Sequence, residues 1–276
     1  MIRLAVRCRP ELAEQVLAEL VVLAPGGVEE EHGADYVEYA IYGAEGEVPA
    51  LGDLEAASGD GLIAVSSDEV PDDWADRWRD FHRPILVGGR LSVRPSWEPA
   101  RDGAVDVVID PGHAFGTGAH PTTRLCLELL LELAGAGEAT GALTDLGTGS
   151  GVLAIAAAKL GWDPVTACDH ERAALEATAA NAAANGVEVE LRRVNLRAEP
   201  PPRAPAIVAN LTAPILAVVA EGIGELARAE RPRHIVCSGL LASEADDVSS
   251  RLGAAGLIEA ERRSEGDWTA LLARRD

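Results

Sequence analysis

Asp145-Leu146-Gly147-Thr148-Gly149-Ser150-Gly151 is the stretch on which the fold turns. It follows a short apolar segment, 142–146, that reads as a strand, and it opens directly into an apolar run, 152–160, with the character of a buried helix. A second strand is predicted over 165–168, and an acid, Asp169, stands at its end, 22 residues after Gly147. Strand, glycine turn, helix, strand, acid is the layout of a nucleotide-binding α/β unit. Glycines allow a tight turn and a close backbone approach to a ligand, and the helix that follows offers free N–H groups to an anion.

Outward from this unit the pattern keeps alternating. A helix is predicted over 172–185, strands over 188–194 and 206–209, a helix over 215–227, a strand over 234–237 and a helix over 243–255. The last strands fall around Ile258 and over 269–273. Upstream, strands over 91–93 and 105–109 lead to Asp110-Pro111-Gly112, and a helix over 122–133 precedes the glycine unit. Alternation of this kind specifies an α/β class with a doubly wound, largely parallel sheet.

The N-terminal part has a different rhythm. Ile2, Leu4, Val6 and Cys8 alternate with Arg3 and Arg7, as in a half-buried strand, and Pro10 opens a helix carrying Leu12, Val16, Leu20 and Leu23 at helical spacing. A hairpin over 28–42, which holds all three tyrosines, a weaker helix over 48–57 and a strand over 61–65 complete a βαββαβ order. That order predicts a small ferredoxin-like α+β domain over 1–66. Residues 67–83 read as a linker helix in which Trp74 and Trp78 share one face. The large domain is expected over 84–276.

Bulk properties narrow the function. Hydrophobic residues make up 47% of the chain, which places it among globular proteins. No apolar run reaches membrane-spanning length and the N-terminus lacks a signal peptide's apolar core, so a cytoplasmic protein with no membrane association is expected. The net charge of −21 repels a phosphate backbone, so direct nucleic-acid binding is not expected, whereas a basic partner would be steered in. Cys8, Cys126, Cys168 and Cys237 are scattered and read as buried free thiols, and His113 and His120 lack a partner set for a metal site.

The spacing Gly147-x-Gly149-x-Gly151 departs from the dinucleotide fingerprint G-x-G-x-x-G, yet by itself it leaves a dinucleotide open. The acid Asp169 suits a ribose in either case. S-adenosylmethionine has no phosphate, and its amino-acid carboxylate and ammonium can use the loop N–H groups and nearby acids. At the level of whole motifs, Asp145 to Gly151 with Asp169 resembles the class I S-adenosylmethionine-dependent methyltransferases. Two further segments, Asp110-Pro111-Gly112-His113-Ala114-Phe115-Gly116-Thr117-Gly118-Ala119-His120-Pro121-Thr122-Thr123 and Ala209-Asn210-Leu211-Thr212-Ala213-Pro214-Ile215-Leu216, resemble the PrmA family, the ribosomal protein L-eleven methyltransferases. Arg83-Pro84-Ile85 and Val93-Arg94-Pro95-Ser96-Trp97 are similar to its segment before the core. The resemblance runs from about Trp74 to the C-terminus.

The resemblance implies a seven-stranded Rossmann-like methyltransferase sheet, S-adenosyl-L-methionine as cofactor, and methyl transfer to lysine ε-amino groups, with an α-amino group as a further acceptor, of a ribosomal protein taken free before assembly. It places Thr123, Gly147, Asp169 and Asn210 in the cofactor site, joined by Gly149 and Phe115; a helix cap is the alternative for Thr123 and a tight structural turn the alternative for the Phe115 loop. Asn210 and Leu211 are the catalytic candidates. In amine-directed relatives an amide oxygen and the next backbone carbonyl accept the amine hydrogens and aim its lone pair at the sulfonium methyl; capping the helix after Pro214 is the alternative for Asn210. Departures from the family pattern are Thr148 in place of a common cysteine, His170 in place of a second acid, and Thr212-Ala213 beside the amine channel. Other readings kept open are another protein lysine or a small amine as acceptor, a non-catalytic cofactor-binding module, and a dehydrogenase. A monomer is expected.

Overall fold

The computed structural model describes residues 2–13, 16, 29–33, 35–43, 62–69, 83–110 and 118–275. They fall into two compact units, Met1–Phe81 and His82–Asp276. In the first, strands β1 (Ile2–Cys8), β2 (Glu29–His32), β3 (Val37–Gly43) and β4 (Leu62–Glu69) form one antiparallel sheet in the order β2-β3-β1-β4. That is the strand order of the ferredoxin-like arrangement. Leu4, Val6 and Cys8 are buried while Arg7 is exposed, as their alternation requires. Arg7 lies opposite Glu38 in the β1–β3 register, pairs with its carboxylate, and sits 4.6 Å from the centre of the Tyr36 ring. The helix expected from Pro10 opens as a 3-10 turn, Pro10–Leu12, and Ala13 and Val16 beyond it are α-helical; Tyr39 donates its hydroxyl to the Ala13 carbonyl at 3.1 Å.

β4 is longer than expected. It pairs with β1 as far as Ile2 and Glu69, so Ser67, Asp68 and Glu69, assigned above to the linker helix, are strand. An acidic composition does not prevent strand formation where a neighbouring strand offers a complete ladder. The helix expected over 48–57 and the linker positions Trp74 and Trp78 lie outside the described residues.

The second unit is α/β. Its main sheet runs β10 (Glu190–Arg193), β9 (Val165–Asp169), β8 (Leu143–Leu146), β11 (Ala206–Asn210), β12 (His234–Leu241), β14 (Trp268–Arg275), β13 (Leu257–Glu265). β10, β9, β8, β11 and β12 are parallel, and β14 enters antiparallel between β12 and β13. The sheet is therefore seven-stranded, doubly wound and mostly parallel. Two apolar cores form on its faces by strict alternation. On β11, Ala206 and Val208 join one core while Ile207 and Ala209 join the other, and on β14 Ala270 and Leu272 separate in the same way from Leu271 and Ala273.

Helices α1 (Pro121–Gly135), α2 (Val152–Leu160) and α3 (Arg172–Asn185) line the first core, and α4 (Ala213–Glu225) and α5 (Ala245–Ala254) line the second. No helix among the described residues is long and apolar enough to cross a membrane. α1 is buried almost all round, at Leu125, Cys126, Leu127, Leu129, Leu130, Leu131 and Leu133. The cause is a feature the sequence pattern did not separate. β5 (Ile85–Val87), β6 (Leu91–Arg94) and β7 (Val105–Val108) form a small sheet of their own, and their Val87, Leu91, Val93 and Val107 share one core with α1.

Leu129 is fully buried in this core. Leu129→Ala is expected to lower unfolding stability by about 2–5 kcal/mol in urea titration, because partial relaxation leaves a cavity. A loss within a few tenths of a kcal/mol would mean that the two sheets do not clamp α1.

Candidate active site

The order of the main sheet reverses between β8 and β11, and the carboxyl ends of β8, β9 and β11 open on one crevice. Ligands of open α/β sheets bind at such a switch point. The glycine loop leaves β8 here and is held on two sides. Gly147 and Thr148 donate their backbone N–H groups to the Cys168 carbonyl at 2.8 and 2.9 Å. Gly149 N–H donates to Asp169 Oδ2 at 3.1 Å, while Asp169 Oδ1 accepts from Glu171 N–H at 3.0 Å. His170 Nδ1 also lies 3.3 Å from Oδ1, and of about four lone-pair sites on the carboxylate a place on Oδ2 remains for a hydroxyl.

α3 braces the same loop through a polar stripe. Thr178 Oγ1 donates to the Gly149 carbonyl at 3.0 Å and Asn181 Nδ2 to the Ser150 carbonyl at 2.8 Å. One turn on, the Asn185 amide binds both backbone groups of Val108 at 2.9 and 2.6 Å, fastening β7 to the helix. Gly151 has φ +86°, and a Cβ there would lie 2.8 Å from Thr178 Cγ2, so the third glycine lets helix and loop meet.

Behind the loop lies Asp145, with no exposed surface. Its Oδ2 accepts from Thr148 Oγ1 at 2.8 Å and from Ala154 N–H at 3.1 Å. Its Oδ1 is buried with no hydrogen-bond partner among the described residues. Burial pushes this carboxyl up to about 7; the two hydrogen bonds oppose the shift and the negative charge of Asp169 adds to it.

On the other side of the crevice, Asn210 ends β11 and donates its Nδ2 to Thr122 Oγ1 at 3.1 Å and Thr123 Oγ1 at 3.3 Å. Both threonines are buried in the first turn of α1. Neither of them caps that helix. His120 does, accepting Thr122 N–H on its ring Nδ1 at 3.4 Å. Nor does Asn210 cap α4, whose N-cap position is Thr212. Leu211 is squeezed between two glycines. A Cβ on Gly147 (φ +74°) would lie 2.4 Å from Leu211 Cδ2, and a Cβ on Gly239 (φ +86°) would lie 2.4 Å from the Leu211 carbonyl oxygen and 2.8 Å from its carbon. Leu211 N–H donates to the Ser238 carbonyl at 2.9 Å, and the β12–β14 register slips between Cys237 and Leu240. Such a bulge brings Gly239 under Leu211.

Six of the candidates thus gather in pairs: Asn210 on Thr123, Gly149 on Asp169, Gly147 on Leu211. Phe115 lies outside the described residues. His234 begins β12, at the end of the sheet away from the crevice, where burial lowers the proton affinity of its ring. Burial also pushes the Cys168 and Cys237 thiols up to about 12, which removes them as nucleophiles. Sequence reasoning missed Gly239 and the Thr178, Asn181, Asn185 stripe. Both left signals: a glycine inside a predicted buried strand's extension, and three polar residues at one-face spacing in an alanine-rich helix.

A family model described as Ribosomal protein L11 methyltransferase (PrmA) matches residues 40–276. The chain belongs to this family. It is 44% identical over 217 residues to the ribosomal protein L11 methyltransferase of Pelotomaculum thermopropionicum, covering 76% of this chain and 68% of that protein. With the Geobacter sulfurreducens protein of the same name the identity is 40% over 231 residues, covering 82% and 75% of the two chains. The crystal structure of a ribosomal protein L11 methylase from Lactobacillus delbrueckii subsp. bulgaricus superposes with a TM-score of 0.60 at 26% identity, over 71% of this chain and 100% of that one. As a PrmA family member the chain is a methyltransferase, and S-adenosylmethionine is its cofactor.

The residues present fit that cofactor. The orphaned Asp145 Oδ1 suits an ammonium or sulfonium charge, and the space a Gly147 Cβ would fill suits a close ligand approach. Thr148, the departure from the family's common cysteine, holds Asp145 through its hydroxyl.

The raised Asp145 carboxyl has a consequence for stability. A folded-state value of about 7 against 3.8 for the free group means stabilisation fully present below about pH 3.8 and lost as pH rises through 7. An Asp145→Asn variant lacks this loss. Its advantage in thermal unfolding over the parent protein, measured without cofactor, should widen from pH 5 to pH 8, to at most about 4 kcal/mol. A gap independent of pH would show that the carboxyl is not buried in charged form.

Proposed function

We propose that this chain transfers methyl groups from S-adenosylmethionine to lysine ε-amino groups of ribosomal protein L11, with an α-amino group as a further acceptor, and that L11 is taken free, before assembly. Family membership and the names of the relatives support L11 as the substrate. The observation that carries amine chemistry is the arrangement of Asn210. With its Nδ2 hydrogens given to Thr122 and Thr123, the carboxamide oxygen is left for another donor, at a strand end where substrates of this fold class bind. On this reading Gly147, Gly149, Asp169 and Thr123 form the cofactor site, Phe115 belongs to it as well, and the N-terminal unit grips the protein substrate.

S-adenosylmethionine supplies an electrophilic methyl group on a sulfonium centre. The chain's own residues then have two tasks. The first is to orient the nucleophile: Asn210 Oδ1 and the Leu211 carbonyl accept two amine hydrogens, which leaves the lone pair pointing along a single direction. The second is to favour the neutral amine. A free lysine is held protonated at pH 7 by about three units, roughly 4–5 kcal/mol, so the site must desolvate the ammonium and offer it no carboxylate.

Incubation with labelled cofactor and free L11, followed by mass spectrometry of peptides, tests the proposal; label on lysine is expected, and unlabelled L11 would sink it. Asn210→Ala should lower kcat by roughly 10²-fold or more, because one of two orienting acceptors is lost. Gly239→Ala pushes on the Leu211 carbonyl and should lower kcat about tenfold while changing the affinity for S-adenosylhomocysteine little. Equal loss of affinity and rate would instead place Gly239 in cofactor binding.

A further inference from the structure

Thr122 Oγ1 stands between two groups, with His120 Nδ1 at 2.7 Å and Asn210 Nδ2 at 3.1 Å. An amide nitrogen only donates, so Thr122 accepts from Asn210, and with Nδ1 unprotonated it gives its own hydrogen to His120. The same Nδ1 also accepts Thr122 N–H at 3.4 Å. The ring must therefore be neutral, with its hydrogen on Nε2.

We propose that His120 is a positioning residue that fixes which way round the Asn210 carboxamide sits. The inference rests on Asn210 receiving the substrate amine. While His120 Nδ1 holds the Thr122 hydrogen, the Thr122 oxygen can only accept, and only the Nδ2 side of Asn210 satisfies it. Turning the carboxamide over would set Oδ1 against that oxygen with no hydrogen between them, and would aim N–H donors at the incoming amine. The Thr123 hydroxyl, 3.3 Å from Asn210 Nδ2, can donate or accept and so does not discriminate. Discrimination comes from His120 through Thr122.

A proton on His120 Nδ1 undoes this. The ring would then donate to Thr122, release the hydroxyl hydrogen, and let the turned carboxamide be satisfied as well as the correct one. Several features keep the ring neutral. Burial lowers its proton affinity first, and the Arg124 guanidinium one turn along α1 lowers it further. Arg124 is itself paired with Glu265 at the end of β13, and the uncharged Trp268 at the start of β14 meets the ring edge-on at 5.0 Å. The positive end of α1 also disfavours a cation at this place.

The experiment compares kcat on L11 for the parent protein, His120→Ala, His120→Asn and Asn210→Ala between about pH 5.5 and 8.5. Asparagine is a good helix N-cap whose oxygen always accepts, so it keeps the relay and cannot take up a proton. His120→Ala should lose roughly tenfold in kcat at pH 8 with S-adenosylhomocysteine affinity within about threefold, and His120→Asn should recover most of that loss. The ratio of His120→Asn to parent kcat cancels the ionisation of the amine itself, and it should rise toward the acid end of that range. A flat ratio, or His120→Ala equal to the parent in rate with only a lowered Tm, overturns the relay and leaves His120 a helix cap. If Asn210→Ala is inactive in that case, the function proposed above stands without the relay; if Asn210→Ala keeps its rate, that function falls first and the relay with it.

Discussion

A carboxylate buried without a charged partner organises the whole upper edge of the large unit. Gly151, the N-cap of α2, has no side chain, and among the described residues the only local partner of the first turn is Ser150 Oγ, which accepts Val152 N–H at 3.4 Å. Asp145 caps it from the end of the preceding strand, taking the Ala154 N–H on the same oxygen that holds the Thr148 hydroxyl. Strand, loop and helix are thereby locked into one piece, with the glycines free to take φ values no other residue holds cheaply. The strain of burying charge is the cost of this arrangement, and it is visible in the raised carboxyl of Asp145. A positive charge placed against the loop would relieve it.

The second dependence is steric. Leu211 passes between Gly147 and Gly239, one glycine touching its side chain and the other its backbone. The loop after β8 and the bulge within β12 thus determine where a single carbonyl from the β11 end is held. A methyl group at either glycine meets Leu211 at 2.4 Å, closer than any van der Waals contact, so neither change can be absorbed without moving it. The glycine loop and the Leu211 carbonyl are therefore mechanically one unit.

Much of this was readable from residue order, for physical reasons. The glycine unit, the alternation of strands and helices and the acid after β9 are local patterns, and the helix over Arg172–Asn185 falls where its periodicity puts it. What escaped is non-local or too short. β5 has three residues and no measurable period, yet it completes the small sheet that buries α1. β12 runs past its apolar segment to Leu241 because Gly239 permits a bulge and β14 supplies a partner on its far side. The cap of α1, weighed as the alternative role of Thr123, is instead His120, one residue before Pro121, whose ring accepts the Thr122 N–H. The hydrogen bonds from Asn210 to Thr122 and Thr123 span 88 and 87 residues, beyond any local pattern.

The charges around the crevice divide by task. Asp145 and Asp169 stand on the side of the glycine loop, where the function proposed above would put the positively charged cofactor. The side at the end of β11 offers an amide, two hydroxyls and a neutral imidazole. If Asn210 receives the amine, that neutrality matters more than hydrogen-bonding capacity, which an aspartate would supply equally well. A carboxylate within 4–6 Å of a lysine favours the ammonium by about one to three units, and the ammonium has no lone pair to give. An amide accepts the same hydrogens while leaving the amine free to stay neutral. Its weakness is that it has two ends, donor and acceptor, of nearly equal shape. The threonines and His120 supply the asymmetry that a carboxylate would not need.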